Sequence, residues 1–203
     1  MISVPAWYTR PVSRETSDTL AAYAALIEKW TQRINLISPG TTDCIFDRHI
    51  WDSAQIYHGQ AGLWADLGSG GGLPGIVIAI LRKGDGVTTP VVLLESDKRK
   101  ATFLRTCGRE LGLAVVVKDQ RIEDAEPLNA DIVSARALRD LSGLMPLLRK
   151  HVAGHGECLV MKGEKWQQEI QDAQCDWRFS CDVTPSKTNP DAAILKIRDI
   201  ERV

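Results

Sequence analysis

No apolar run in these 203 residues approaches the length that spans a membrane. The amino terminus holds Pro5 and no basic-then-apolar leader pattern, so a cytoplasmic protein is expected rather than a secreted one. An excess of one charge is missing too. The 25 Lys and Arg residues face 26 Asp and Glu, and a net charge of −1 does not advertise a general nucleic-acid binder. Five cysteines stand at 44, 107, 158, 175 and 181, an odd number with no Cys-x-x-Cys. That excludes a disulfide framework and predicts reduced thiols, several of them in the core. His151, His155 and Cys158 lie close in sequence, but Gly154 and Gly156 predict a polar turn ahead of a strand there, and no metal site is expected. There is no internal repeat and no low-complexity segment. No Ser-His-Asp or Cys-His arrangement suggests a covalent nucleophile.

What is present is an ordinary globular composition, 44% apolar and 25% charged. The length suits a single α/β domain over 1–203, with room for an extra N-terminal element but not for a second full domain. Leu20, Tyr23, Ala24, Ile27, Trp30 and Ile34 recur at helical spacing, which predicts a helix over 13–34. A turn at 35–40 precedes a second helix over 42–57, with Ile45, Phe46, His49, Ile50, Ser53 and Ala54 facing inward. Residues 1–60 thus read as a helical cap and 61–203 as the core. Strands are expected at 63–67, 91–95, 114–118, 131–135 and 157–162. Helices are expected at 73–81, 97–111, within 137–148 and at 166–173. A terminal antiparallel pair, 177–183 and 193–198, flanks a Pro-Ser-Lys-Thr-Asn-Pro loop. Such alternation means a doubly wound, mainly parallel sheet whose strand carboxyl ends share one ligand-binding edge. No long apolar stripe is left uncovered, so a monomer is expected.

The most informative stretch is Trp64 to Gly75, where a short apolar strand ends in Asp66 and runs through a glycine cluster into a helix. Glycine lets backbone approach a ligand and adopt positive φ, and the helix behind offers unpaired N–H groups. No Gly-Lys-Ser/Thr follows, which excludes a P-loop. Gly70-x-Gly72-x-x-Gly75 fits a dinucleotide fingerprint, with Glu95 at the spacing of a ribose-binding acid. The other frame, Asp66-x-Gly68-x-Gly70-x-Gly72, resembles the first motif of S-adenosylmethionine-dependent methyltransferases. A carboxylate there suits a cationic amino acid end and repels a pyrophosphate.

Other residues fall at strand ends. Glu95 is placed to accept from ribose hydroxyls. Ile122, and a backbone N–H near Glu123, stand where an adenine would lie. Arg136 ends a near-apolar strand and is suited to a carboxylate, a phosphate or a base edge, or to an ion pair with Asp66 or Glu95. Arg48 and Asp52 are four apart on a helix and are expected to share a face. From Ser96 to Arg121 seven basic residues stand against three acidic ones, which by itself reads as a solvated face.

Taken in order, these pieces resemble the RsmG family, also called glucose-inhibited division protein B, the bacterial 16S ribosomal RNA guanine-N7 methyltransferases. The match includes Asn35-Leu36-Ile37-Ser38, Arg48-His49-x-x-Asp52-Ser53, and the glycine stretch through Leu73-Pro74-Gly75. It continues through Leu94-Glu95-Ser96-x-Lys98-Arg99-Lys100-x-x-Phe103-Leu104, Arg136-Ala137 and Lys162-Gly163. Ala135 stands where the family pattern more often has serine. The resemblance implies a Rossmann-like methyltransferase fold and S-adenosylmethionine contacts at Gly68, Leu73, Glu95, Ile122, Glu123 and Arg136. It also implies a 16S rRNA substrate in the small ribosomal subunit. Arg48, Arg136 and Lys162 are then expected to flank the target guanine. The Lys98–Arg109 face, with Arg10, Arg14, Arg33, Arg48 and Lys162, is expected to meet phosphates. A methyltransferase for a small molecule or protein, a nicotinamide-dependent oxidoreductase and a non-enzymatic RNA-binding module are the alternatives.

Overall fold

The computed structural model describes residues 2–203. Seven strands form one sheet: β1 (Trp64–Leu67), β2 (Val91–Leu94), β3 (Val115–Lys118), β4 (Ala130–Arg136), β5 (Val152–Lys162), β6 (Trp177–Pro185) and β7 (Ala193–Arg202). Their order is β3-β2-β1-β4-β5-β7-β6. The first five are parallel, and β7 runs antiparallel between β5 and β6. The order reverses at β1, so a crevice opens beyond its carboxyl end, between the connections that leave β1 and β4.

Period-two alternation decides which face each strand residue covers. In β2, Val91 and Leu93 pack into one core, Val92 and Leu94 into the other. The first core is closed by α1 (Arg14–Thr31), α3 (Gly75–Gly84) and α4 (Lys98–Glu110), through side chains such as Tyr23, Ile27, Ile76, Ile80, Phe103 and Leu104. The second is closed by α5 (Leu141–His151) and α6 (Trp166–Gln174), with Leu144, Met145, Leu148 and Ala173. The four residues of β1 are buried on both faces, as a central parallel strand requires.

Three expectations are corrected. The second helix is not one α-helix over 42–57. A 3₁₀ stretch (Pro39–Cys44) passes into a π segment (Phe46–Trp51) and a last α turn, α2 (Asp52–Ala54). Wider π turns throw positions four apart out of alignment. Arg48 is exposed and does not meet Asp52, and Phe46 and His49 are only partly buried. The helix expected within 137–148 begins at Leu141, where Asp140 caps it by accepting from Gly143 N–H at 2.7 Å, and runs past the expected limit to His151. Residues 137–140 become a loop, with Ala137 at φ +49°. The turn expected around Gly154 and Gly156 is strand instead, since β5 begins at Val152 and absorbs the extra residues as a register shift against Ala130 and Ile132.

Candidate active site

The glycine turn between β1 and α3 is held from four sides. Ser69 N–H donates to Leu94 O at 2.9 Å, and Gly72 N–H closes back on Ser69 O at 2.7 Å. Tyr23 of α1 donates its hydroxyl to Gly71 O at 2.6 Å. Glu95 accepts from Gly70 N–H on Oε2 and from Asp97 N–H on Oε1, both at 2.8 Å. Gly68 and Gly70 take φ of +68° and +55°, which only glycine adopts without strain. A Cβ on Gly70 would project into open cleft, with Gly68 O at 3.8 Å the only nearby atom.

Asp66 does not line the cleft. It is 1% exposed and sits behind the turn. Its Oδ2 accepts from Gly75 N–H at 3.2 Å and its Oδ1 from Ser134 Oγ–H at 2.7 Å. Ser134 in turn accepts from Trp64 Nε1–H at 2.9 Å, which fixes the direction of its own hydroxyl. Gly72 is also behind the wall, since a Cβ there would meet Ile76 and Tyr23 Oη. Ala135 faces the opposite core, so Ser134 aims its hydroxyl at Asp66 without replacing one at position 135.

Burial pushes the Asp66 carboxyl up to about 6, against hydrogen bonds that favour the charged form. Above that value Asp66 is ionised in folded and unfolded chains alike, and its burial counts fully against stability. As pH falls through it, the folded chain takes the proton first and the cost is relieved. Relative to Asp66→Asn, which does not titrate, the wild type should gain roughly 2 kcal/mol between about pH 7.5 and about pH 4.5. Urea unfolding of both proteins at the two pH values checks this, and a constant difference contradicts it.

Two clefts open side by side on the strand-end edge. The first, about 400 Å³, is lined by Leu36, Gly68, Ser69, Gly70, Gly71, Leu73, Leu94, Glu95, Ser96, Lys100, Gln120, Arg121, Ile122 and Glu123. His151 of α5 donates Nε2–H to Ile122 O at 3.0 Å, and Lys150 Nζ donates to Glu123 O at 2.5 Å, so the 121–124 turn is pinned from below. The second, about 600 Å³, gathers Arg48, His49, Asp52, Met161, Lys162 and the β6–β7 loop residues Ser186, Thr188 and Asn189. Arg136, Ala137, Leu138 and Arg139 line both.

The three residues expected at a substrate base thus meet in the second cleft, but with partners that spacing did not foretell. Arg136 pairs with neither Asp66 nor Glu95. Its Nη1–H reaches Asp52 Oδ2 at 2.9 Å and its Nη2–H reaches His49 Nδ1 at 3.1 Å. Lys162 is nearly buried and already neutralised, with Nζ 2.7 Å from Glu169 Oε2 and donating to Arg139 O at 2.5 Å. Arg48 has no partner among the described residues. Glu123 presents an exposed carboxylate to Arg139 at 2.8 Å. Its own backbone N–H and that arginine hold its carboxyl below the usual range. Sequence reasoning missed Tyr23, Ser69, Ser134, Leu138 and Arg139. Only Arg139, three residues past Arg136, carried a readable signal.

The basic face is less basic than its composition. Arg99 pairs with Asp97, Arg105 with Asp119 and Arg109 with Glu110, while Arg10 pairs with Asp85 and Arg14 with Asp18. Lys98, Lys100, Arg121, Arg33 and Arg48 make no ion pair among the described residues. His151 and His155 serve separate partners, Ile122 O and Asp131. Cys107 and Cys158 are buried, and all five thiols are free.

A switch-point cleft with a glycine turn, backed by an acid at the next strand end, defines a Rossmann-like enzyme for a nucleotide-type cofactor. Solved structures agree on the fold. The M. jannaschii TYW2 structure in complex with AdoMet superimposes with a TM-score of 0.57 at 15% identity, covering 85% of this chain and 80% of that one. The ribosomal protein L11 methylase of Lactobacillus delbrueckii subsp. bulgaricus gives 0.56 at 15% identity, covering 73% and 75%. The model of the GidB family, described as rRNA small subunit methyltransferase G, matches residues 16–191. Ribosomal RNA small subunit methyltransferase G of Ruegeria pomeroyi is 46% identical over 202 residues, covering 98% of this chain and 99% of the relative. That of Ruegeria sp. TM1040 is 45% identical over 194 residues, covering 95% of each. The chain belongs to the rRNA small subunit methyltransferase G family. This membership sets aside the nicotinamide-dependent and non-enzymatic alternatives.

The residues present fit S-adenosylmethionine. Each Glu95 oxygen spends one acceptor site on a backbone N–H and keeps another for a hydroxyl. Gly70 leaves the space a side chain would fill, and Ile122 offers an apolar wall.

Proposed function

We propose that this chain transfers a methyl group to N7 of a guanosine in 16S ribosomal RNA of the small subunit, acting in the cytoplasm as a monomer. Residues 1–60 cap the 61–203 core in this reading. One observation carries it: a cofactor-sized cleft and a wider, more open cleft lie side by side and share the wall Arg136–Arg139. A methyl donor in the first then faces an acceptor base in the second.

Bound S-adenosylmethionine supplies an electrophilic methyl on a positively charged sulfur. Guanine N7 has an in-plane lone pair and no proton, so transfer needs no general base. What the protein contributes is placement and field. Gly68, Gly70 and Leu73 shape the donor seat, Glu95 holds the ribose, and Ile122 with the backbone near Glu123 holds the adenine. Asp66 acts through the turn, anchoring Gly75 at the head of α3. Lys162 acts through Arg139 and the start of α5, and Arg48 is left to meet RNA directly. Lys98 and Lys100 at the start of α4, Arg121 on the donor cleft and Arg33 against the far end of α4 are the cations available for phosphates, compatible with the modest net charge. The target base is splayed from its stack to reach the cleft.

The test is a transfer assay with labelled S-adenosylmethionine and small ribosomal subunits from a strain without the endogenous enzyme. The expected result is label in 7-methylguanosine of digested 16S RNA. Binding of S-adenosylmethionine without such label would overturn the acceptor assignment.

A further inference from the structure

Arg136 has its backbone at the end of β4, on the donor cleft, but its guanidinium turns to His49 and Asp52, which line only the acceptor cleft. The hydrogen-bond directions around it are fixed by elimination. Thr41 Oγ1 donates its one proton to Ser38 O at 2.7 Å, so it accepts from His49 Nε2–H, also at 2.7 Å. His49 Nδ1 therefore carries a lone pair, and accepts from Arg136 Nη2–H. Asp52 accepts from Nη1–H, and its second oxygen is locked by Thr188 Oγ1 at 2.5 Å and Gln55 Nε2 at 2.9 Å. Two of the five guanidinium N–H groups are used. The other three have no acceptor among the described residues, and Arg136 lines the wall that the two clefts share.

Guanine and adenine both offer N7 as an acceptor and differ at the neighbouring position, where guanine has the O6 acceptor and adenine an N6 amino donor. A ring accepting a methyl at N7 cannot also take a hydrogen bond there, so on that edge O6 is the atom left to read. A guanidinium carries donors only. It satisfies O6 and is opposed by an amino group. We propose that Arg136 selects guanine by donating to O6, and that Asp52 and His49 are positioning residues that hold it there. This rests on the reading that the acceptor is guanosine N7.

Two features agree with the assignment. Burial and the adjacent Arg136 push His49 down to about 4, so it remains an acceptor; Arg48 adds to this and only Asp52 opposes it. The guanine ring becomes cationic on methylation, and an unpaired arginine beside it would oppose the reaction. Asp52 balances that charge.

The experiment uses reconstituted small subunits carrying either guanosine or 2-aminopurine, which keeps N7 and has no O6, at the position the wild-type enzyme labels. The wild type should prefer guanosine by about 100-fold in kcat/KM, the scale for losing one hydrogen bond from a charged donor. Thr41→Val removes the acceptor that sets the His49 tautomer. In it the preference should fall below about 10-fold while the Kd for S-adenosylmethionine stays within about 2-fold. Thr41→Ser, which keeps the hydroxyl, should retain the preference. His49→Ala should behave as Thr41→Val, and the half-buried Thr41 variants decide the matter if His49→Ala does not fold. Full preference in Thr41→Val, or a loss of cofactor affinity matching the loss of rate, would overturn the assignment. Failure of the wild type to label any guanosine would overturn the functional reading beneath it.

Discussion

Replacing Glu95 with alanine is expected to raise the Kd for S-adenosylmethionine by about 100-fold or more. The carboxylate does two things at once. It accepts the N–H groups of Gly70 and Asp97, which joins the glycine turn to the start of α4. It also keeps an acceptor face toward the donor cleft, from a position only 8% exposed. Charge-assisted hydrogen bonds of this kind contribute roughly 1.5–3 kcal/mol each, and tenfold in affinity needs about 1.4 kcal/mol. Glu95→Gln keeps the shape but turns a donating amide toward one of the two N–H groups, so it should fall between, at about tenfold. Calorimetric titration with S-adenosylmethionine and with its demethylated product measures both variants. An unchanged Kd in Glu95→Ala would remove Glu95 from the site.

The second large effect is on folding. Gly75 opens α3 directly behind β1. A Cβ there would overlap Leu93 Cδ2 and lie 2.7 Å from Asp66 Oδ2. Both neighbours are fully buried, and neither has room to retreat. Gly75→Val should cost about 3 kcal/mol or more, the upper end for forcing a side chain into a packed core. In a domain of this size that is a fall of roughly 6–12 °C in Tm. Cofactor binding should fail with it, because the Gly75 N–H would leave Asp66 and the turn would lose its rear anchor. Thermal unfolding followed by circular dichroism tests this. A variant that melts within about 2 °C of the wild type would mean that α3 and β1 are less closely packed than the distances imply.

Comparison of particular elements explains which expectations held. Strands β1, β2 and β4 and helices α1, α3 and α4 fall within a few residues of their sequence-based positions, because local periodicity and short caps decide them. The terminal antiparallel pair was legible for the same reason, from two alternating runs around a turn-rich loop. The second helix was not, since a π segment leaves the apolar spacing nearly intact while rotating the polar side chains. The site divides in the same way. Glu95 and Ile122 line the donor cleft, as their places at strand ends predicted, and Gly68, Gly70 and Leu73 line it as the glycine motif and the resemblance implied. Asp66 and Gly72 share the same motif but face the packing behind the turn. Motif spacing names the residues of a turn without saying which side of it each will face.

Taken alone, the amino-acid sequence determined the alternating α/β architecture, the family and the strand-end edge that carries both clefts. These follow from patterns a few residues long, repeated along the chain. Partner choice was left to the tertiary structure. Arg136 takes Asp52, 84 positions away, instead of the nearer acids. Ser134 reaches back 68 positions to Asp66. Lys162 is neutralised by Glu169, and much of the basic stretch is offset by acids that composition counts but cannot locate. A charge acts through space and is felt only at short range in water and salt. Which charges remain free to meet RNA is therefore set by where the fold brings the chain together.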